Sequence, residues 1–137
     1  MRKLALSDEI LMKVDKAARY IGGEVNSIMK DKNNVDIRFA MCFPDVYEIG
    51  MSNLGMMILY NMFNEREDVW AERVFSPWLD LDKIMREKNI PLFALESQEP
   101  VKDFDFLGIT LGYEMCYTNV LQVLDLSHIS LLAKDRE

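Results

Sequence analysis

Histidine and cysteine are scarce in this chain. It carries one His and two Cys in 137 residues. A Cys/His zinc site takes four ligands at short spacings, so none can be written here. An iron–sulfur motif of three cysteines is excluded by count. Glycine and proline are sparse as well, at 6 and 4, which rules out collagen-like and low-complexity character. Bases are outnumbered, with 16 Lys and Arg against 23 Asp and Glu and a formal charge of −7. The bases are scattered, with no run longer than Arg2-Lys3. Phosphate backbones attract clustered positive charge, so no nucleic-acid partner is indicated. Long apolar runs are also missing. The longest, Leu54 to Tyr60, falls far short of the ~20 residues of a spanning helix, and no membrane role is expected. The start, Met1 to Glu9, opens like a signal peptide but meets Asp8 and Glu9 before any long apolar stretch. Cys42 and Cys116 stand apart in apolar surroundings, as two buried, reduced thiols of a cytoplasmic protein do.

What is present reads as a globular α/β chain. Half of the residues are hydrophobic and 28% are charged, an ordinary balance. The length suits one domain that buries roughly two thirds of its unfolded surface. Ile10, Leu11, Val14, Ala17, Ala18 and Ile21 form one apolar stripe at helical spacing over Asp8 to Tyr20. Gly22-Gly23 ends that helix, Glu24 to Lys30 reads as extended, and Lys32-Asn33-Asn34 reads as a turn. Residues 1–34 are therefore expected to be a helical and extended arm, and residues 35–137 the α/β domain. Val35 to Phe43 alternates and then becomes wholly apolar, the pattern of a central strand. Val69 to Phe75, Ile90 to Leu95 and Phe104 to Leu111 are expected as further strands. Helices are expected from Ser52 or Asn53 to Asn64, from Ser76-Pro77 to Asn89, and from Thr118 onward. Strands alternating with helices predict an open, mostly parallel sheet with helices packed on it.

In such a sheet ligands bind beyond the carboxyl ends of the strands, where the winding reverses. The loops at that edge are Pro44 to Met51, Ser76-Pro77, Glu96 to Pro100 and Gly112 to Tyr117. The first strand is followed by neither GxGxxG nor GxxxxGK[ST], so dinucleotide and P-loop nucleotide binding have no support. Asp45 and Glu48 admit an acid/base reading, with solvated loop carboxylates as the plainer one. Tyr113 and Glu114 follow a buried strand and suit either a ligand edge or loop packing. The lone His128 reads as a surface or capping residue. The methionines Met51, Met56, Met57 and Met62 read as helix packing, and Trp70, Phe75 and Trp78 as core.

Several longer blocks go beyond these local patterns. They are Ala18-Arg19-Tyr20-Ile21-Gly22-Gly23-Glu24-Val25-Asn26-Ser27, Phe43 to Gly55, Ala71 to Trp78, Pro91 to Ser97, and Tyr113-Glu114-Met115-Cys116-Tyr117-Thr118-Asn119-Val120-Leu121. Together, in order, they resemble the N-terminal region of bacterial radical S-adenosylmethionine (SAM) proteins with a B12-binding-like domain. The resemblance implies a flavodoxin-like, cobalamin-binding-type domain ahead of a radical SAM barrel. That barrel would carry a CxxxCxxC motif for a [4Fe–4S] cluster that cleaves S-adenosylmethionine. The motif is absent from this sequence, so the chain alone is not expected to be catalytic. Cobalamin is the implied cofactor, and the barrel of the full-length protein the implied partner. The loop after the first strand holds Asp45 but no histidine, so the DxHxxG ligand pattern is missing. With strand order 2-1-3-4 the reversal would fall between the strands ending at Phe43 and Leu95. The cofactor would then rest on Asp45, Tyr47, Glu48, Gly50, Ser52, Asn53, Ser97, Gly112, Tyr113 and Glu114. In that reading Gly50 and Gly112 let backbone approach the corrin, Ser52 and Asn53 cap a facing helix, and Tyr47 and Tyr113 form flat walls. The alternative is a degenerate B12-like fold that only packs against a partner. A cobalamin-type sheet has at least a fifth strand, and Ile129 to Ala133 is only a lead-in to it. The sheet is thus expected to stop one unit short, leaving an edge strand bare for pairing with a second copy.

Overall fold

The computed structural model describes residues 3–136. Met1, Arg2 and Glu137 lie outside the described residues, and with them the first residues of the signal-like start. The sheet is α/β, open and all-parallel, with three strands in the order β2-β1-β3. They are β1 (Ile37–Phe43), β2 (Val69–Phe75) and β3 (Phe106–Ile109). This matches the flavodoxin-like open architecture expected from the alternation of elements.

Helices cover both faces because the strands are apolar on both. Ala40, Cys42 and Val74 point to one face. There they meet Leu81 and Met85 of α5 (Leu79–Lys88) and Val123 and Leu126 of α6 (Tyr117–Leu126). Met41, Phe43, Ala71 and Phe75 point to the other face and meet Met56 and Tyr60 of α4 (Leu54–Asn64). Asn53 caps α4 by accepting from the Met56 N–H at 2.9 Å, as its position before an apolar run predicts. Asn89 ends α5 in the left-handed region at φ 53°, a conformation that asparagine tolerates. The expected loop after β1 contains a short helix, α3 (Tyr47–Met51).

The arm departs from its expected single helix. It forms two short helices, α1 (Asp8–Leu11) and α2 (Ala18–Ile21). Between them the Asp15 N–H donates to Asp80 Oδ2 at 2.8 Å, a tertiary bond in place of a helical one. The apolar stripe still does its work, since Ile10 and Val14 join the core and Leu11 and Ala17 pack against it, and Tyr20 beside the stripe is buried with them. Residues 24–31 are not a strand. They run across β2 and α4, held by Ile28 N–H to Tyr60 Oη (2.7 Å) and by Trp70 Nε1 to the Ile28 carbonyl (3.0 Å).

The segment Ile90 to Leu95 is not a strand of the sheet. Pro91 supplies no N–H for a ladder. The donors that follow turn away, Leu92 N to Leu126 O and Ala94 N to Glu99 O, and one antiparallel bridge joins Phe93 to Pro100. It meets β2 through the backbone bond from Leu95 N to Arg73 O at 2.9 Å. The strand beside β1 is β3 instead, so the reversal of winding lies between the ends of β1 and β3, not between Phe43 and Leu95. Ile129 to Ala133 is no lead-in strand either, because a 3-10 turn at Ala133–Asp135 follows it. Among the described residues no helix is long and apolar enough to cross a membrane.

Candidate functional site

The carboxyl ends of β1 and β3 sit side by side, and the loops leaving them are tied together. Tyr113 Oη donates to Asp45 Oδ2 at 2.6 Å, and Asn119 Nδ2 donates to the Pro44 carbonyl at 2.8 Å. Asp45 is fixed in turn, because its Oδ1 accepts from the Val46 N–H (2.7 Å) and its carbonyl from the Ser76 N–H (3.0 Å). The hydrogen bond to Asp45 pushes the exposed Tyr113 hydroxyl up from its ordinary value. Around this cluster Leu111, Tyr113, Met115 and Tyr117 are exposed, as are Trp78 and Leu79 at the start of α5. A Cβ placed on Gly112 would meet nothing within 4 Å. The edge is therefore an open platform, apolar around a polar knot. A small cavity of about 190 Å³ lies beside it, lined by Asp45, Ser76, Trp78, Asn119 and Gln122.

Of the ten residues named from sequence, the structure brings Asp45, Gly112, Tyr113 and Glu114 to this edge. The other six do different work. Tyr47 turns under the arm and donates to Glu24 Oε1 at 2.6 Å, and burial followed by that hydrogen bond pushes it up to about 12. Glu48 faces Arg19 (2.9 Å) and Lys16 (3.3 Å), so it is not an acid/base partner of Asp45. Gly50 is packed against the Phe75 ring. Ser52 Oγ donates to the Ile49 carbonyl (2.8 Å), and Asn53 is spent on the α4 cap. Ser97 lies beyond β2, where its N–H donates to Glu72 Oε2 (2.9 Å) and its Oγ accepts from Arg38 Nη2 (3.0 Å). His128 sits past the end of α6, in a cavity with Asn89 and Asp125, at the opposite edge of the sheet. Among the described residues no cluster of His, Cys, Asp and Glu suits a metal ion.

Residues 55–137 match the family described as radical SAM proteins, N-terminal. The chain belongs to that family. No curated protein and no solved structure matches it. The matched stretch takes in α4, the whole sheet after β1, α5 and α6, and with them the Gly112 to Glu114 part of the platform. Pockets for drug-sized ligands run to about 300–1,000 Å³, and the cavity beside Asp45 is smaller. The surface over Gly112 itself is open, with no heavy atom within 4 Å of a Cβ placed there.

Sequence reasoning missed the polar groups buried under the arm. Arg73 and Glu96 are 2% and 0% exposed and paired at 2.5 Å. Arg73 also reaches Glu24 of the arm (2.8 Å), while Tyr60 Oη donates to Glu96 at 3.0 Å. On the opposite face Arg38 bridges Glu72 (2.6 Å) and Glu99 (2.5 Å). The one available signal was Glu72-Arg73 inside an otherwise apolar strand, where charges persist only when paired. Burial pushes the Glu24 carboxyl up, but hydrogen bonds from Tyr47 and Arg73 outweigh it and hold the group below its ordinary value of 4.5. Glu99 is likewise lowered, against burial, by Lys32 and Arg38. A lowered carboxyl adds stability that is full above its unfolded value and fades as pH falls through the folded one. The melting temperature is thus expected to hold from pH 7 to about 5 and to fall steadily below about 4.5. Glu24→Gln should flatten that acid limb. A melting curve with the same acid slope in the variant would refute the assignment.

Proposed function

We propose that this domain positions a cobalamin for the radical chemistry of a radical SAM protein, with the corrin lying on the C-terminal edge of the sheet. The observation that carries this is the open side of Gly112 ringed by exposed Leu111, Tyr113, Met115 and Tyr117. A wide flat ring needs uncovered, partly apolar surface and close backbone approach, and this edge supplies both. Tyr113 gives a flat wall, Asp45 and Glu114 give polar rims, and no histidine faces the edge to act as a lower ligand. Bound there, cobalamin supplies group-carrying cobalt chemistry. The [4Fe–4S] cluster and S-adenosylmethionine belong to the catalytic part of the radical SAM protein in this reading.

A second reading is that the same edge docks directly on the catalytic part and holds no cofactor. The Asp45–Tyr113 hydrogen bond favours it, because it closes the crevice between β1 and β3. Hydroxocobalamin added to the chain, followed by gel filtration and cobalt analysis, separates the two. Retained cobalt is expected. Tyr113→Ala should weaken retention by about tenfold, the ~1.4 kcal/mol that one aromatic contact can contribute. Retention untouched by that substitution would remove Tyr113 from the site. No cobalt on the chain, nor on radical SAM protein from a B12-fed host, would overturn the cofactor reading and leave the docking one.

A further inference from the structure

Three buried side-chain atoms among the described residues have no hydrogen-bond partner: Arg38 Nε, Ser76 Oγ and Ser127 Oγ. Of the three residues, only Ser76 lines the cavity of about 190 Å³ beside Asp45. It follows β2 and is 5% exposed. A buried hydroxyl without a partner is a cost that native folds rarely carry, and it marks the cavity as a place that takes up a polar group. The walls offer both senses of hydrogen bond. Helix α5 begins here, and Trp78 before it gives no side-chain cap. The Trp78 N–H goes to Tyr20 Oη at 3.2 Å and the Leu81 N–H to Asp80 Oδ1 at 2.7 Å. The Leu79 and Asp80 N–H groups have no partner among the described residues and stay donors. Leu79 lines the cavity. Helix α6 brings acceptors to it. Asn119 Nδ2 is taken by the Pro44 carbonyl and Gln122 Nε2 by Asp82 Oδ1 at 2.9 Å, which leaves Asn119 Oδ1 and Gln122 Oε1 to accept. The Asp45 carboxylate adds another acceptor and Trp78 an aromatic wall.

We propose that this cavity binds a neutral primary carboxamide. The charges select neutrality. Among the described residues no Lys or Arg lines the cavity. Asp45, with Asp82 bonded to Gln122, opposes an anion, and the positive end of α5 opposes a cation. A planar carboxamide sets its acceptor oxygen on one side and its two donors on the other. That matches donors from α5 and Ser76 against acceptors from α6 and Asp45. The carboxamide oxygen accepts from the first turn of α5 and from Ser76 Oγ, and its NH2 donates to Asn119 and Gln122. Such groups edge the corrin ring of cobalamin and also occur on free small molecules. The amide site stands on the cavity itself, and only the corrin source rests on the cofactor reading.

Titration of the chain with benzamide, benzoate and benzyl alcohol, followed by backbone amide chemical shifts, tests it. The three probes share a ring and differ in the polar group. Benzamide is expected to bind with a Kd on the order of 1 mM, with shifts gathered at Ser76, Leu79, Asn119 and Gln122. Benzoate and benzyl alcohol should each bind about tenfold more weakly. Ser76→Ala should weaken benzamide about fivefold and leave the melting temperature unchanged or higher, because the hydroxyl it removes has no partner. A melting temperature lower by about 3 °C or more, with benzamide binding intact, would mean that a buried water already holds Ser76, and would overturn the proposal. Benzoate binding as tightly as benzamide would overturn it in favour of an anion site, and benzyl alcohol doing so in favour of a hydroxyl site. Shifts gathered instead at Phe39 and Phe106, in the apolar groove of about 530 Å³, would overturn it as well. Hydroxocobalamin tells the two sources apart. Cobalt retention that falls as benzamide saturates the chain assigns the carboxamide to the corrin, and retention indifferent to benzamide assigns it to a free amide. Failure of the cofactor reading, with no cobalt retained, leaves benzamide binding as expected here.

Discussion

Glu96→Ala is expected to lower the unfolding free energy by about 3–5 kcal/mol, the cost of stranding one partner of a buried ion pair. A domain of this size has only about 5–15 kcal/mol in total, so the variant should lose most of its margin. The cost arises because Glu96 serves three donors. Its Oε1 accepts from Arg73 Nε (2.5 Å) and Tyr60 Oη (3.0 Å), and its Oε2 from the Arg73 N–H (2.7 Å). Without it the Arg73 guanidinium keeps Glu24, the Met51 sulfur at 3.1 Å and the Tyr60 ring, which lies 5.3 Å away. Glu24 remains a carboxylate partner but engages Nη2 only, so Nε of a guanidinium that is 2% exposed and the Arg73 N–H lose the acceptor that Glu96 gave them. Urea unfolding at pH 7, followed by far-UV circular dichroism, checks the value. Glu96→Gln, which keeps the shape and loses the charge, should fall between wild type and alanine. The paired apolar replacement Arg73→Met with Glu96→Leu should be more stable than either single change, because it removes both buried charges together. A loss below about 1 kcal/mol for Glu96→Ala would mean that water or rearranged neighbours already solvate Arg73.

The same pair shows where sequence patterns stop informing. Periodicity located β1, β2, α4 and α5 well, because each buries a face whose spacing is written in the order of residues. It located the arm in part: Ile10 and Val14 of the stripe are in the core, but Tyr20, also buried, lay outside that stripe, and the bond from Asp15 to Asp80 that interrupts the helix joins residues distant in sequence. Ile90 to Leu95 looks like a strand by composition. Its partners decide otherwise, and Pro91 is the only local hint. The platform was legible through Asp45, Gly112 and Tyr113, since loops after parallel strands gather at one edge. Tyr47, Glu48 and Ser97 share those loops and still face elsewhere, because Glu24, Arg19 and Glu72 hold them there. Those three partners lie on the arm or on β2, and no spacing rule connects them to the loops.

Gly50 carries the second large effect, and it separates packing from cofactor contact. Gly50→Ala is expected to cost about 1–3 kcal/mol, the range for overpacking a filled core. A Cβ at this position would stand 2.1 Å from Phe75 Cε1, 2.5 Å from Cδ1 and 3.2 Å from Phe43 Cβ. Phe75 cannot swing aside freely. Its ring meets Tyr47 edge-on at 5.5 Å between centroids, and the residue is 7% exposed. The glycine is therefore required by the approach of α3 to the end of β2, and its helical position needs no unusual backbone angle. If packing is the reason, Phe75→Leu placed in the Gly50→Ala background should recover part of the loss, because the smaller side chain vacates the space that the new methyl takes. Gly50→Ala should also leave cobalt retention unchanged in the fraction that stays folded. A variant with wild-type stability and lost retention would return Gly50 to the cofactor surface. The distances to Phe75 argue for the opposite result: lower stability with the platform over Gly112 intact.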